Sequence, residues 1–224
     1  MTFGDFPEKG SGDPSTFMIP SGVILNRDLT KIHPVDLNDP TQIQEFVGHS
    51  WYEYAGGKDK GLHPYEGETK FAFTGPKPPY TQLDVDKDYS WLKAPRWRGN
   101  AVEVGPLARV LMLLAKGHAE TKELATMALK KLDLPLTAMF STLGRTAART
   151  LETKLIVDKM DAWLASLTAN IKAGNLSVHN ADKWDPSTWP SKCQGVGFME
   201  APRGGLAHWI VIENGKIANY QAVV

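Results

Sequence analysis

The sequence predicts an α+β fold that is predominantly helical, with a long central helix and a small antiparallel β-hairpin near the C-terminus. Apolar residues recur at three- and four-residue steps from Leu143 to Ile171, which is the period of an α-helix. Beyond Gln194 the period changes to two, and Asn214-Gly215 between two β-type runs is a strong hairpin signal. With 224 residues, 42% of them hydrophobic, the chain can bury a substantial core, and we expect a single domain over 1–224.

Short elements separated by turns are predicted for the first part of the chain. Glycines and prolines surround one short strand, Val23–Leu25. Asp39 is a candidate N-cap with Pro40 as the first helical residue, and apolar residues follow at helical spacing, namely Ile43, Phe46 and Val47. The glycines and prolines from Ala55 to Pro79 predict a long irregular surface segment, a kind of segment that often binds a partner or ligand.

Three helices are predicted in the central part. The first begins at Pro106 and is closed by Gly117, and the second extends from Glu120 to Lys131. The third is the long periodic helix, which should end at Gly174 and form a spine for the fold. Two arginines near its start, Arg145 and Arg149, are expected to solvate or cap its polar face.

Charge and composition exclude several classes of function. The formal net charge is zero and basic residues are evenly spread, so neither nucleic-acid binding nor a polybasic membrane surface is indicated. The longest apolar run, Val110–Ala115, is far shorter than the roughly 20 residues that cross a bilayer. Because the N-terminal residues lack the pattern of a secretory signal, we expect any export to depend on a partner.

Metal sites built from this chain alone are not indicated. Cys193 is the single cysteine, which excludes an internal disulfide and a cysteine-cluster site. Five histidines show no mutual ligand spacing and are expected to be ordinary surface or core residues: His33, His49, His63, His118 and His179.

Aromatic and basic residues alternate from Tyr89 to Arg98, in "YSWLKAPRWR". Two interpretations remain open. The aromatic rings are core residues with cations lying along them, or the segment makes stacking or arginine-mediated contacts with another molecule.

The segment "EAPRGGLAHW", Glu200–Trp209, predicts a rigid loop between strands. Pro202 fixes its own φ and lacks an N–H, while Gly204 and Gly205 can adopt positive φ and allow close backbone approach. Arg203 is therefore expected to have little backbone freedom.

Seven stretches together resemble the large subunit of nickel-iron hydrogenases of the membrane-associated uptake type. They are "FGDFPEKGSG", "VILNRDL", "IQEFVGHSWYEY", "YSWLKAPRW", "EVGPLARVL", "STLGRTAAR" and "GVGFMEAPRGGLAHWIVIENGKIANYQAVV". The resemblance implies reversible oxidation of H2 at a nickel-iron centre that carries CO and cyanide ligands. That family holds its metals with two Cys-x-x-Cys pairs, which this sequence lacks, so it resembles an internal fragment of the subunit.

The resemblance also implies roles for five residues. Arg203 matches the arginine over the open face of the metal centre, as a proton acceptor or an electrostatic group, and Ala201 and Pro202 match neighbours that line the CO and cyanide ligands. His208 matches a loop histidine behind them, although a hydrogen-bonded core residue orienting the hairpin is the alternative. Ala222 matches a position whose main-chain carbonyl binds a structural magnesium ion, a hard cation that accepts backbone oxygen.

The implied partner is an iron-sulfur small subunit, with the Tyr89–Arg98 segment as a candidate for part of the interface. We expect membrane association only through partner subunits, on the periplasmic side of the cytoplasmic membrane, after export with the small subunit. Two other functions remain open: a metal-free, hydrogenase-like subunit of a respiratory complex, and a module in which Arg203 and its glycines bind a carboxylate or phosphate.

Overall fold

A computed structural model describes residues 1–8, 12–76 and 84–224. Within them, three α-helices accompany nine strands, so the α+β class is confirmed but helix does not predominate. The helices are α1 (Pro106–Ala115), α2 (Ala119–Lys131) and α3 (Thr142–Lys172). The strands are β1 (Val23–Ile24), β2 (Ile32–His33), β3 (Ile43–Phe46), β4 (Tyr52–Tyr54), β5 (Thr69–Phe71), β6 (Ala94–Trp97), β7 (Lys192–Ala201), β8 (Gly204–Glu213) and β9 (Lys216–Val223). Among the described residues, the helices lack the combination of length and apolar composition that a membrane span requires.

The strands form four small sheets. β1 pairs with β2, β3 with β6, β4 with β5 and β8 with β9, each antiparallel, and β7 lies on the other side of β8. The predicted hairpin is confirmed, because Asn214 and Gly215 link β8 to β9 with φ of 50° and 72°, the positive values that such a turn requires.

The chain divides into two compact units, each assembled from separate stretches. The first comprises Met1–Pro34, Glu103–Thr188 and Met199–Gly205, and the second comprises Val35–Val102, Trp189–Phe198 and Leu206–Val224. The single domain over 1–224 remains a prediction.

In the first unit, α1 is almost entirely buried. Gly105 precedes it with φ of 101°, and Gly117 follows it with φ of 77°, so both predicted ends are confirmed. Its apolar side chains form a core with residues from the following segments: Leu107, Val110, Leu111, Met139 and Ala148.

The long helix α3 has the predicted extent, and Gly174 follows it with φ of 77°. Its apolar stripe is not packed as predicted, since only Gly144, Ala148 and Leu155 are buried. Six other apolar residues are more than half exposed in the structure: Leu143, Val157, Met160, Leu164, Leu167 and Ile171. The helical period identifies the helix but does not specify what covers it.

The helix predicted after Asp39 is wrong, because this segment forms strand β3. Asp39 does cap a turn, since its Oδ1 accepts a hydrogen bond from the Thr41 N–H at 2.8 Å. Beyond that turn, buried positions alternate at Ile43, Glu45 and Val47, with exposures of 1%, 1% and 0%. Burial of every second side chain and hydrogen-bonded pairing with β6 favour a strand here, and together they outweigh the local preference for a helix start at Asp39-Pro40.

In the segment Ala55–Pro79, the predicted irregular structure is interrupted by β5, which pairs with β4. Lys77–Pro79 lie outside the described residues.

The aromatic and basic segment Tyr89–Arg98 has residues both in the core and on the surface. Trp97 is a core residue, 2% exposed, while Trp91 is 43% exposed.

The core of the second unit contains a carbonyl shared by two rings. The Leu37 carbonyl oxygen accepts hydrogen bonds from Trp209 Nε1 at 2.9 Å and from His63 Nε2 at 3.0 Å. On the other side of the imidazole, His63 Nδ1 accepts the Tyr65 N–H at 3.3 Å. These contacts fit a neutral His63 with its proton on Nε2, and burial lowers the His63 pKa.

We therefore predict that acidification destabilises the second unit through His63. Burial lowers the pKa of His63, although the Leu37 carbonyl and the acidic groups of Glu66, Asp39 and Asp36 oppose the shift. A histidine whose folded pKa is depressed contributes stability above its unfolded pKa of about 6.5, and this contribution is lost as the pH falls. Urea unfolding should give a lower free energy at about pH 5 than at about pH 7.5, and His63→Gln should reduce that difference. An equal difference in His63→Gln and in the exposed-site control His179→Gln would contradict the assignment.

Candidate functional site

The predicted loop around Arg203 is a two-residue turn. β7 ends at Ala201 and β8 begins at Gly204, so Pro202 and Arg203 form the whole connection. Both turn residues are exposed. The segment is therefore tighter than the sequence predicts, and its conformation is set by what lies behind it.

Gly204 and Gly205 belong to β8, and neither adopts positive φ, so that expectation is wrong. Close approach does occur at both glycines, but the nearest groups are side chains and not another backbone as predicted. A Cβ on Gly204 would lie 2.4 Å from Val104 Cγ2, and one on Gly205 would lie 2.8 Å from the Phe3 ring. On the opposite surface, a Cβ on Gly105 would lie 2.5 Å from the carbonyl oxygen of Arg203. Glycine is required at these positions because larger residues would displace the turn.

A buried arginine, Arg109 of α1, holds the turn from inside the first unit. Its Nη1 donates to Glu200 Oε2 at 3.0 Å and to the Ala201 carbonyl at 2.9 Å. Its Nη2 donates to the Pro202 carbonyl at 3.0 Å and to Glu152 Oε2 at 2.9 Å, and its Nε donates to Glu152 Oε1. These five hydrogen bonds match the five N–H donors of a guanidinium group. Arg109 therefore ties α1 and α3 to the segment that carries Arg203.

Glu200 completes this network. Its side chain is 1% exposed, and Oε1 accepts the Phe3 N–H at 2.6 Å while its own N–H donates to Asp5 Oδ2 at 2.9 Å. Burial raises the pKa of Glu200, and the hydrogen bonds from Phe3 and Arg109 oppose that shift. Removing one partner of a buried ion pair typically costs about 3–5 kcal/mol, because a charge is left uncompensated.

Unlike the buried Arg109, Arg203 is exposed to solvent. In the part of the chain that the structure describes, its guanidinium group makes no hydrogen bond or ion pair. A planar fork of donors is thus available on a turn whose backbone is held in place. Such a fork suits recognition of an anionic or hydrogen-bond-accepting group.

His208 and Ala222 lie in the second unit and are register partners across β8 and β9. His208 Nδ1 forms a hydrogen bond with the Tyr220 hydroxyl group, and the two rings are tilted, with centroids 5.7 Å apart. This contact supports the interpretation that His208 orients the hairpin. The structure thus brings Ala201, Pro202 and Arg203 together on one turn, and places His208 opposite Ala222 on another pair of strands.

Metal ligands are not assembled by the described residues. No group of three or more His, Cys, Asp or Glu side chains in 1–8, 12–76 and 84–224 is arranged to hold a metal ion. The single thiol, Cys193, is half-buried and free. Of the five histidines predicted to be ordinary residues, His63 lies in the core and His118 is the N-cap of α2.

Sequence reasoning missed Arg109, although a signal was present. In α1, "PLARVLMLLA", Arg109 is the one charged residue in an otherwise apolar helix, and it is 2% exposed. A charge on a buried helix requires partners of opposite charge. Those partners, Glu152 and Glu200, are too distant in sequence to be chosen from spacing.

Comparisons with known proteins agree on one family. A family model described as "Nickel-dependent hydrogenase" matches residues 1–224. The chain is 51% identical over 231 residues to the uptake hydrogenase large subunit of Rhizobium leguminosarum bv. viciae, covering 100% of this chain and 39% of that protein. It is 45% identical over 231 residues to the Hydrogenase-1 large chain of Escherichia coli K12, covering 100% of this chain and 38% of that protein.

Solved structures show the same relationship. The reduced Ni-Fe-Se hydrogenase from D. vulgaris Hildenborough matches with a TM-score of 0.69 and 29% identity, covering 100% of this chain and 41% of that chain. The chain thus spans about 39% of the length of the first of these relatives. The chain belongs to the nickel-dependent hydrogenase family.

Proposed function

We propose that this chain is part of the catalytic large subunit of a nickel-iron hydrogenase, which oxidises H2 reversibly to protons and electrons. The observation that carries the proposal is the exposed guanidinium group of Arg203, which has no partner among the described residues, on a turn whose carbonyl groups are held by Arg109. The relatives that match are named as hydrogenase large subunits, which favours this function over a metal-free respiratory subunit.

The described residues do not fit the role of nickel or iron ligands, because no thiolate pair is among them. They fit the role of lining the site. A nickel-iron centre with CO and cyanide ligands supplies the redox chemistry when bound. Arg203 would contribute a positive charge and a planar set of N–H donors to that site. Ala201 and Pro202 would present a rigid backbone there. For His208, in the second unit, the proposed role near the metal centre rests on the resemblance alone.

Magnesium is assigned to the main-chain carbonyl of Ala222. A backbone oxygen is a suitable ligand for a hard cation whatever the side chain is. Ala222 lies near the end of β9, and its side chain is exposed. Strand pairing with His208 sets the position of its backbone.

The proposed partner is an iron-sulfur small subunit that receives the electrons. The chain associates with the membrane only through partner subunits, and it lies on the periplasmic side of the cytoplasmic membrane after export with the small subunit.

For the interface with the small subunit, Trp97 is an unsuitable candidate, because it is buried and its Nε1 donates to Gln42 Oε1 at 3.0 Å. Exposed apolar residues of the same segment are better candidates: Tyr89, Trp91 and Leu92.

Arg203→Lys in the assembled hydrogenase should leave the nickel content unchanged and lower H2 oxidation about a hundredfold, the usual scale for losing a preorganised donor. Lysine keeps the charge but cannot reproduce the planar fork. The measurements are metal analysis and H2 uptake on the same preparations, with Arg149→Lys, at an exposed position on α3, as the matched control. Full activity of Arg203→Lys would show that the Arg203 guanidinium group does not contribute to H2 oxidation.

Purified alone, the 224-residue chain should contain no stoichiometric nickel or iron, because soft-metal binding requires thiolate or imidazole clusters and the described residues assemble none. Elemental analysis after reconstitution with nickel and iron salts tests this directly. One metal ion per chain, retained after gel filtration, would show that this prediction is wrong.

Leu92→Ser should reduce copurification of the small subunit without changing the thermal stability of this chain, since Leu92 is 77% exposed. Its control is Leu176→Ser, at a position 67% exposed in the segment after α3. Equal yields of small subunit with both variants would exclude the Tyr89–Arg98 segment as an interface.

A further inference from the structure

The donors of Arg109 are divided between two tasks. Two N–H groups bind the Glu152 carboxylate of α3 and one binds Glu200, which neutralises the buried charge. The other two donate to the carbonyl oxygens of Ala201 and Pro202. Charge neutralisation alone does not require these last two bonds, because both acceptors are uncharged.

Those two bonds act on the peptide that leads into Arg203. The Pro202 carbonyl belongs to the peptide group immediately before Arg203, so its hydrogen bond to Nη2 fixes the plane of that group. The carbonyl of Arg203 itself lies against Gly105, where no Cβ can fit. With the peptide groups on both sides fixed, the direction of the Arg203 side chain from its Cα is fixed as well.

Both constraints come from the first turn of α1. The Arg109 N–H donates to the Gly105 carbonyl at 3.0 Å, so the residue that binds the turn and the residue that packs against it are joined by one helical hydrogen bond. A displacement of this helical turn would therefore move the Arg203 backbone with it.

We infer that Arg109 is a positioning residue that sets the orientation of Arg203 through the carbonyl groups of Ala201 and Pro202, with Gly105 as the opposing surface. The inference rests on the proposed function only for the group towards which Arg203 is oriented, the nickel-iron centre. The clamp itself can be tested without metal.

The first experiment measures how often the turn opens in the complete 224-residue chain. Trypsin cleaves after Arg203 only when the turn leaves its folded conformation, and mass spectrometry gives the rate at this bond relative to Lys172, which is exposed at the end of α3. Arg109→Lys retains a cation for the two carboxylates but cannot reach both carbonyl groups with a planar fork. It should raise the relative rate roughly tenfold or more.

Because Arg109→Lys also alters a buried ion pair, Gly105→Ala provides a second variant that keeps Arg109. Its Cβ would meet the Arg203 carbonyl at 2.5 Å, so the turn must shift. The matched control is Gly117→Ala at the other end of α1, where φ is also positive at 77° and nothing lies within 4 Å. Faster cleavage at Arg203 in Gly105→Ala but not in Gly117→Ala supports the clamp. Equal rates in Gly105→Ala, Arg109→Lys and the unaltered chain would overturn it.

The second experiment asks whether Arg109 acts through Arg203 in the assembled hydrogenase. If it does, Arg109→Lys lowers kcat with nickel content and KM for H2 unchanged, and Arg109→Lys/Arg203→Lys is about as active as Arg203→Lys alone. A purely structural Arg109 would instead multiply its loss onto that of Arg203→Lys, and this result would overturn the inference. If Arg203→Lys is fully active, the proposed function of Arg203 fails, whereas the cleavage rates still decide whether the clamp exists.

Discussion

The first unit depends on the buried guanidinium of Arg109 and its two carboxylate partners. Arg109 lies on α1, Glu152 on α3 and Glu200 at the end of β7, so one ion cluster joins elements from separate parts of the sequence. Each charge is expensive to bury alone, and each is compensated only when all three elements are in place. The cluster therefore makes the position of the Arg203 turn conditional on the correct packing of both helices.

The two arginines near the turn show how environment separates structural from functional cations. Arg109 is 2% exposed and has its five donors satisfied by protein groups. Arg203 is exposed, and the described residues offer its guanidinium group no partner. A guanidinium group whose donors all bind protein groups, such as that of Arg109, holds the backbone segments that it binds. A guanidinium group without such partners, carried on a backbone that is held in place, can bind a group from outside the described residues.

In the second unit, hydrogen bonds between neutral groups and one ion pair, Lys93 with Glu45, hold the strands in place. Leu37, whose carbonyl accepts from both Trp209 and His63, connects an N-terminal segment of this unit to β8. A further network fixes β9, since Gln221 Nε2 donates to the Gly67 carbonyl at 2.6 Å and Lys93 Nζ binds both Gln221 and Glu45. These contacts hold the strands that carry His208 and Ala222, so those two positions depend on long-range polar contacts as much as on strand pairing.

Features that depend on neighbouring residues could be predicted from the sequence: the ends of α1, the C-terminal end of α3 and the Asn214-Gly215 turn all follow from local backbone preferences and helical period. The sequence also located the Arg203 segment through a resemblance. It could not determine that the segment after Asp39 pairs as a strand, that much of the α3 stripe is exposed, or that Arg109 holds the turn. The partners of Arg109 lie 43 and 91 residues away in the sequence. These features arise only on folding, because burial and ion pairing involve segments that are far apart in the sequence and meet in the folded chain.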